Sequence, residues 1–457
     1  MTFVRFLPEN TRLLQWTGCW AATVLTIANG LMLGWTSPYL TKLTAHDSPL
    51  PITMDEGSWL VSVITLSRLL GATISAVSVQ YFGSKRTLFF LGFPMFFCWI
   101  LIIYADSIHW LYGARFMSGI SLGGTFSSVS IYLGEVSDPD MRGGFISLAM
   151  TGFPMGVLAG TIMGAYLTMS LFAWISLIPA AAAIVSFVWM PESPHHLVRI
   201  GKIEEAQKSM VRYHPKANLP VEMKDLKEFV TTVDSLSFTD RLRKFNTPQN
   251  KRCGIVVVIL FIFVSCCGVN SIMFYLEIIL TRGKVTAITP AVMVIPLTSV
   301  GIFAGICAMI YTDKLARRTL WMAVCSGACV SLVTMGVHFI LLDRDFDAGK
   351  IQWLLICSLF FWEISVFSGI CNVPTIFIGE LFPPDIKAEA VFIASLSNAA
   401  FGFISSKTYQ PMVDVMGEAY VFWVHAAILA LATVFGFKYL PETRGKSLRE
   451  IQESMVK

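Results

Sequence analysis

Twelve separate stretches of this chain are apolar for long enough to cross a bilayer. They fall at about 13–35, 59–82, 87–104, 110–133, 145–169, 172–190, 253–280, 290–311, 320–342, 351–378, 388–405 and 420–440. A hydrocarbon core takes roughly 20 mostly apolar helical residues per crossing. No water is present there, so each segment must satisfy its own backbone N–H and C=O groups, which leaves the helix as the form for spans of this length. The composition agrees: 55% of the 457 residues are hydrophobic, 14% are charged and the mean hydropathy is +0.65, whereas soluble domains carry about 25% charged residues. The chain is predicted to be an all-α membrane protein. Arg5 and Arg12 precede an apolar stretch, Leu13 to Trp35, that is too long for the core of a cleavable leader and reads as a first span.

An even number of spans puts both termini on one side, and the basic residues choose which. Of the 34 Lys and Arg residues, 26 fall on the side of the termini and 6 on the other, with Arg68 and Arg115 inside spans. Positive residues accumulate on the cytoplasmic face, so both termini are expected there. A formal charge of +4 is too small to suggest a nucleic-acid partner. The expected organisation is a six-helix half over 1–191, a cytoplasmic helical linker over 192–252, a second six-helix half over 253–441 and a cytoplasmic tail over 442–457. The linker mixes charged and apolar residues at helical spacing in Lys202–Val211 and Val221–Val233, which predicts short amphipathic helices. Sixty residues with few aromatics bury too little to form a domain of their own. The ten cysteines lie in or beside apolar segments without metal-ligand spacing and read as packing residues.

The two halves repeat each other. Gly83-Ser84-Lys85-Arg86-Thr87 follows span two, and Ala316-Arg317-Arg318-Thr319 follows span eight. Glu135 precedes Arg142 by seven residues after span four, and Glu380 precedes Lys387 by seven after span ten. Span six ends in Pro191-Glu192-Ser193, and span twelve in Pro441-Glu442-Thr443. Order, spacing and membrane side are kept together, as in a duplicated carrier that works by alternating access around a central site.

PESPHHL at 191–197, PETRGKSLREIQ at 441–452, DKLARRTL at 313–320 and the Glu135…Arg142-Gly143 spacing resemble the signatures of the sugar porter family of the major facilitator superfamily. GWTSP at 34–38 and GSWLVS at 57–62 resemble the insect trehalose and hexose transporters within it. The resemblance implies a twelve-helix major facilitator fold, facilitated transport of a sugar or polyol across the plasma membrane, a monomer in the lipid bilayer, no cofactor and no enzymatic activity. It also implies gating ion pairs at the cytoplasmic mouth among Glu135, Arg142, Arg115, Glu192, Asp313, Arg317, Arg318, Glu380, Lys387 and Glu442. The family's paired arginines after span two appear here as Ser84 and Lys85, and the arginine of its Pro-Glu-Ser-Pro-Arg motif as His195. Lysine lacks the bidentate fork of arginine, so the first-half clasp is expected to be the looser.

Sugar hydroxyls donate and accept, so carboxamides and aromatic faces suit them. Aligned on the motifs, the family's span-five glutamine becomes Met150 and its span-seven glutamines become Val264 and Ser265, while Asn270 and Tyr275 are kept. The span-eight asparagine becomes Gly301, and the span-ten acid and tryptophan become Phe367 and Thr375. Glu363 lies one helical turn before Phe367 and is a candidate replacement for the lost polar groups. The candidate solute contacts are Asn270, Tyr275, Glu363, Ser265, Met150, Phe367, Thr375 and Asn398. Arg68, near mid-bilayer, is expected to have a structural role, and His338 and His425 to be packing residues. Gly34-Trp35-Thr36 stands where proton-coupled relatives carry an aspartate, so coupling by that route is not expected, while Glu363 leaves another route open. A non-transporting sensor on the same fold and a carrier of a non-sugar solute are the competing functions.

Overall fold

The computed structural model of the chain describes residues 13–138, 140–214, 219–234, 245–382 and 386–443. Of the candidate residues, the side chains of Asp313 and Lys387 lie outside what is described. Eleven helices or helix pairs among the described residues are long and apolar enough to cross a membrane. Helix α4 (Ile108–Val136) completes the twelve: its 29 residues span about 44 Å, although Arg115 and several glycines and serines dilute its apolar character.

Contacts divide the chain into two compact units. One comprises the described residues of Met1–Trp35, Leu66–Met163 and Leu167–Ser237, the other those of Thr36–Thr65, Gly164–Tyr166 and Phe238–Lys457. The second unit therefore takes in the far ends of α1 (Leu13–Thr44) and α2 (Met54–Phe82).

In the first unit α3 (Ser84–Ile103) packs on α4 and on α6 (Met169–Trp189). Helix α5 (Arg142–Tyr166) meets α1 backbone to backbone. A Cβ on Gly30 would stand 2.1 Å from the Phe153 carbonyl oxygen, and one on Gly156 2.2 Å from that of Ile27. Lipid tails are as apolar as leucine, so helices in a bilayer associate through such close packing rather than by expelling water. Arg68 lies over the Phe126 ring, 5.8 Å from its centroid.

The linker forms α7 (Pro194–Arg199), α8 (Ile203–Tyr213) and α9 (Leu219–Asp234), with amphipathic helices where the periodicity predicts them. Leu197, Ala206, Met210, Met223 and Leu226 make a small core. Tyr213, at the end of α8, is buried in the larger cluster formed by Leu25, Tyr132, Phe145 and Phe187. Its hydroxyl donates to the Pro191 carbonyl at 2.9 Å. At the same end the Asp138 carboxylate accepts from Gln15 of α1 at 3.0 Å and meets the His214 ring at 2.6 Å. Helices α7 to α9 are thus tied into the first unit rather than folded apart.

Two spans of the second unit depart from the continuous helices expected of them. The seventh consists of α10 (Pro248–Cys266) and α11 (Val269–Arg282), separated at Gly268, whose φ of +89° only glycine adopts readily. The carbonyl of Cys266 near the break accepts from His425 at 2.9 Å, so the interruption leaves this group satisfied inside the bilayer. The tenth passes from α14 (Ala348–Ser365) through a π-helical turn, Val366–Ile370, into α15 (Val373–Leu381), where Pro374 starts the helix. A glycine or proline in an apolar run can also sit in an unbroken membrane helix, so composition alone does not reveal either break. Helices α12 (Pro290–Tyr311), α13 (Arg317–Asp343), α16 (Lys387–Met416) and α17 (Glu418–Tyr439) complete the unit. His338 bonds the Gly283 carbonyl at 3.1 Å, a structural tie like that of His425.

Candidate functional site

The duplicated motifs build similar clusters at helix ends, one in each unit. In the second unit Glu442 caps α13: its two carboxylate oxygens accept from the backbone N–H groups of Arg317, at 3.0 Å, and Arg318, at 3.2 Å. An anion at a helix N-terminus meets unpaired N–H groups and the positive end of the helix dipole. The Arg317 guanidinium reaches Glu380 at 3.2 Å and also donates to the Thr312 carbonyl. Arg318 bonds the Phe437 carbonyl and lies over that ring.

In the first unit Glu192 stands at the N-terminus of α3, where it would touch a Cβ added to Gly83 at 2.8 Å. Ser84, at the position matching Arg317, donates its hydroxyl to Glu135, which matches Glu380. A hydroxyl–carboxylate bond has therefore replaced an ion pair. Arg86, not Lys85, pairs with Glu192, at 3.2 Å. Arg142 is exposed and lines a cavity of about 350 Å³ with Glu135, His195 and His214. Burial, with Arg142 and other cations adding to it, lowers the His195 pKa to about 4. His195 is thus neutral where relatives hold a permanent charge.

Arg115 is not part of either cluster. It lies twenty residues before Glu135 on the same helix, roughly 30 Å along its axis. Fully buried, it donates to the Met32 carbonyl at 3.3 Å and sits 4.5 Å from the Trp35 ring centroid.

The candidate solute contacts separate into groups. Asn270 is half-buried in the first turn of α11, directly after the break at Gly268. A Cβ on Gly402 of α16 would come within 3.0 Å of its amide nitrogen. Along the same seam the Ser265 hydroxyl donates to the Asn398 side-chain oxygen at 2.9 Å, so these two polar groups already engage each other. The rings of Tyr275 and Tyr409 pack with 4.8 Å between centroids, and both hydroxyls are buried without a partner among the described residues.

Glu363 is 2% exposed on α14, and one of its carboxylate oxygens is buried with no hydrogen-bond partner among the described residues. It faces Gly301 of α12. A Cβ there would lie 2.6 Å from that oxygen and 2.8 Å from the ring of Phe367. The glycine that replaces the family's asparagine thus makes room for both the carboxylate and the ring. Thr375 is exposed and its hydroxyl is bonded to the Asn372 carbonyl. Met150, in the first unit, packs half-buried against that unit's core.

Glu277 was not singled out by the sequence reasoning, although it lies seven residues after Asn270, two turns along the same helix face. It is 5% exposed, and its backbone N–H donates to the Ser37 hydroxyl at 2.9 Å. A carboxylate within an apolar segment is the signal that could have found it. Nearby in the same unit, Lys407 pairs with Asp55 at 2.8 Å and lies over the Trp59 ring. Among the described residues no group of three or more His, Cys, Asp or Glu side chains is placed to hold a metal ion.

Eleven membrane spans among the described residues with α4 as a twelfth, two of them interrupted beside buried polar groups, and duplicated charge clusters at the helix ends fit a multi-pass membrane protein of the major facilitator fold. The profile of the sugar (and other) transporter family matches residues 21–455. The chain belongs to that family and is a transporter rather than an enzyme. It is 26% identical to the facilitated trehalose transporter Tret1 of Polypedilum vanderplanki over 99% of this chain and 90% of that protein. The identity is again 26% to Tret1 of Drosophila mojavensis, of which the chain spans about half, 53%. Among solved structures, the inward-open xylose transporter XylE from E. coli superposes with a TM-score of 0.79 at 17% identity, covering 96% of this chain and 99% of that one. XylE bound to 6-bromo-6-deoxy-D-glucose gives a TM-score of 0.74 at 17% identity, covering 97% and 99%. At this identity the structures bear on the fold alone.

Proposed function

We propose that the protein carries a neutral polyhydroxylated solute, a trehalose-like or hexose-like sugar, across the plasma membrane by alternating access and without an ion gradient. Both termini and the 192–252 linker face the cytoplasm, the halves 1–191 and 253–441 are the moving parts, and a monomer is the working unit. The observation that carries this reading is the Glu363 carboxylate, one oxygen of which is buried without a partner among the described residues, against Gly301 and Phe367 where span ten is interrupted. A membrane-embedded acidic group without a partner is costly, and a bound solute's hydroxyls would supply the donors it lacks. Asn270, at the break in span seven, offers a carboxamide that both donates and accepts. Discontinuous helices carrying such groups are the usual seat of solute binding in carriers. The charge clusters at the helix ends are the gating contacts.

Uptake of a panel of sugars and polyols into proteoliposomes, with and without a proton gradient, tests the proposal. Saturable flux of trehalose or a hexose that ignores the gradient is expected. Binding without flux would make the protein a sensor. Flux of another solute that excess sugar does not inhibit would remove sugar as the substrate.

A further inference from the structure

A second recess, of about 850 Å³, lies away from the proposed solute site, among α7, α8 and the turn between α2 and α3. Its charge is unbalanced. Arg86 is paired with Glu192, and Lys202 with Glu205 at 2.8 Å. Lys208 and Arg212 also line the recess, one turn apart on α8, and make no ion pair among the described residues. Two like charges four residues apart repel each other.

Most of the remaining lining is apolar, beside His196, Gln207 and Ser209. Leu197 lies in its wall, and Ile200 and Val211 line it while 45% and 49% exposed, high values for such side chains in the linker. The recess also borders the membrane. Helix α2 ends at Phe82 and α6 at Trp189, and Tyr81, Phe82 and Trp189 are all exposed, as aromatic residues are at the level of lipid headgroups. Arg86 follows four residues after the first of these ends and Pro191 two after the second.

We infer that this recess binds the phosphate headgroup of an anionic phospholipid from the leaflet next to the linker. Lys208 and Arg212 contact the phosphate, while Ile200, Val211 and Leu197 contact the glycerol and the upper acyl chain. Basic pockets beside membrane spans take up anionic headgroups in this way. A free phosphate would use the two cations but leave the apolar wall without a purpose, and that favours the lipid. Arg86 lines the same recess and holds Glu192, so a bound headgroup competes for Arg86 and loosens the first-unit cluster. The inference requires that the chain reside in a membrane and is independent of which solute it carries.

The test is native mass spectrometry of the full chain in detergent, with phosphatidylserine or phosphatidylcholine added. Retention of phosphatidylserine above phosphatidylcholine is expected, and the Lys208→Ala/Arg212→Ala double variant should lower it about tenfold without changing phosphatidylcholine retention. Both side chains are exposed, so folding should survive. Should the double variant fail to fold, each single variant decides the matter, with a loss of about threefold expected. Equal phosphatidylserine retention by the variants overturns the site. Complete displacement of phosphatidylserine by millimolar inorganic phosphate assigns the recess to a free anion and overturns the lipid.

Discussion

Gly301→Ala adds one methyl group where the structure leaves no room for it. The new Cβ would stand 2.8 Å from the Phe367 ring and 2.6 Å from the Glu363 carboxylate, whereas carbon contacts settle at about 3.5–4.0 Å. The ring must therefore retreat by roughly 0.7 Å and the carboxylate must turn. Overpacking of this kind costs about 1–3 kcal/mol. If the displaced groups are those that meet the solute, affinity should fall about fivefold to a hundredfold, at about 1.4 kcal/mol per decade. Gly305, one turn along the same helix, provides the control: its added Cβ would meet Phe367 only at 3.8 Å, an ordinary contact. Gly305→Ala should therefore transport normally. The assay is equilibrium exchange of labelled solute in proteoliposomes, normalised to folded protein by size-exclusion chromatography. Equal affinities for Gly301→Ala and the wild type would refute the placement of the solute beside Glu363. Equal losses in both glycine variants would show a general intolerance of helix α12 to bulk.

Glu363→Gln keeps the shape and removes the charge; a hydrogen bond to a charged group contributes about 1.5–3 kcal/mol, so solute binding should weaken about tenfold or more while the melting temperature holds, and normal binding would reject the contact. Arg317→Ala deprives the part-exposed Glu380 of this ion pair, a loss of about 1 kcal/mol; spin-label distances at the cytoplasmic mouth should lengthen, and unchanged distances would remove Arg317 from gating. His195 should make stability depend on pH. Folded, it stays neutral down to about pH 4, whereas its ordinary value is 6.5, so the folded chain binds fewer protons between these limits. Its contribution is complete above pH 6.5 and is lost as the pH falls towards 4. The loss between pH 7 and 5 should be on the order of 1–2 kcal/mol; His195→Gln should flatten that part of the melting-temperature profile, and an identical profile would refute the assignment.

Features carried by local composition were legible in the sequence. Eleven of the spans follow from apolar length, and α8 and α9 from their periodicity. The alignment of Ser84 with Arg317 is supported by the matching glutamates each one touches, Glu135 and Glu380. What escaped depends on approach in space. Gly30 reads as an ordinary glycine of a membrane helix until Phe153 and Gly156 are seen against it. The break at Gly268 rests on a backbone torsion that a single glycine permits but does not require. Gly301 could be read as a lost asparagine, but not as the space that Glu363 and Phe367 occupy. The mutual engagement of Ser265 and Asn398 likewise needs two helices in register across 133 residues of sequence.

Replacement of an arginine by Ser84 has a consequence for how the carrier responds to its medium. The bond between Arg317 and Glu380 joins two opposite charges, with Glu380 part-exposed, and attraction of that kind is screened as ionic strength rises, over a Debye length of about 8 Å at physiological salt. The bond between Ser84 and Glu135 has only one charged end, and mobile ions have far less effect on it. Although the two clusters descend from one repeated motif, salt should loosen the second and leave this joint of the first in place. The exposed Arg86–Glu192 pair of the first cluster is screened as well, so of these three contacts ionic strength would spare the Ser84–Glu135 joint alone.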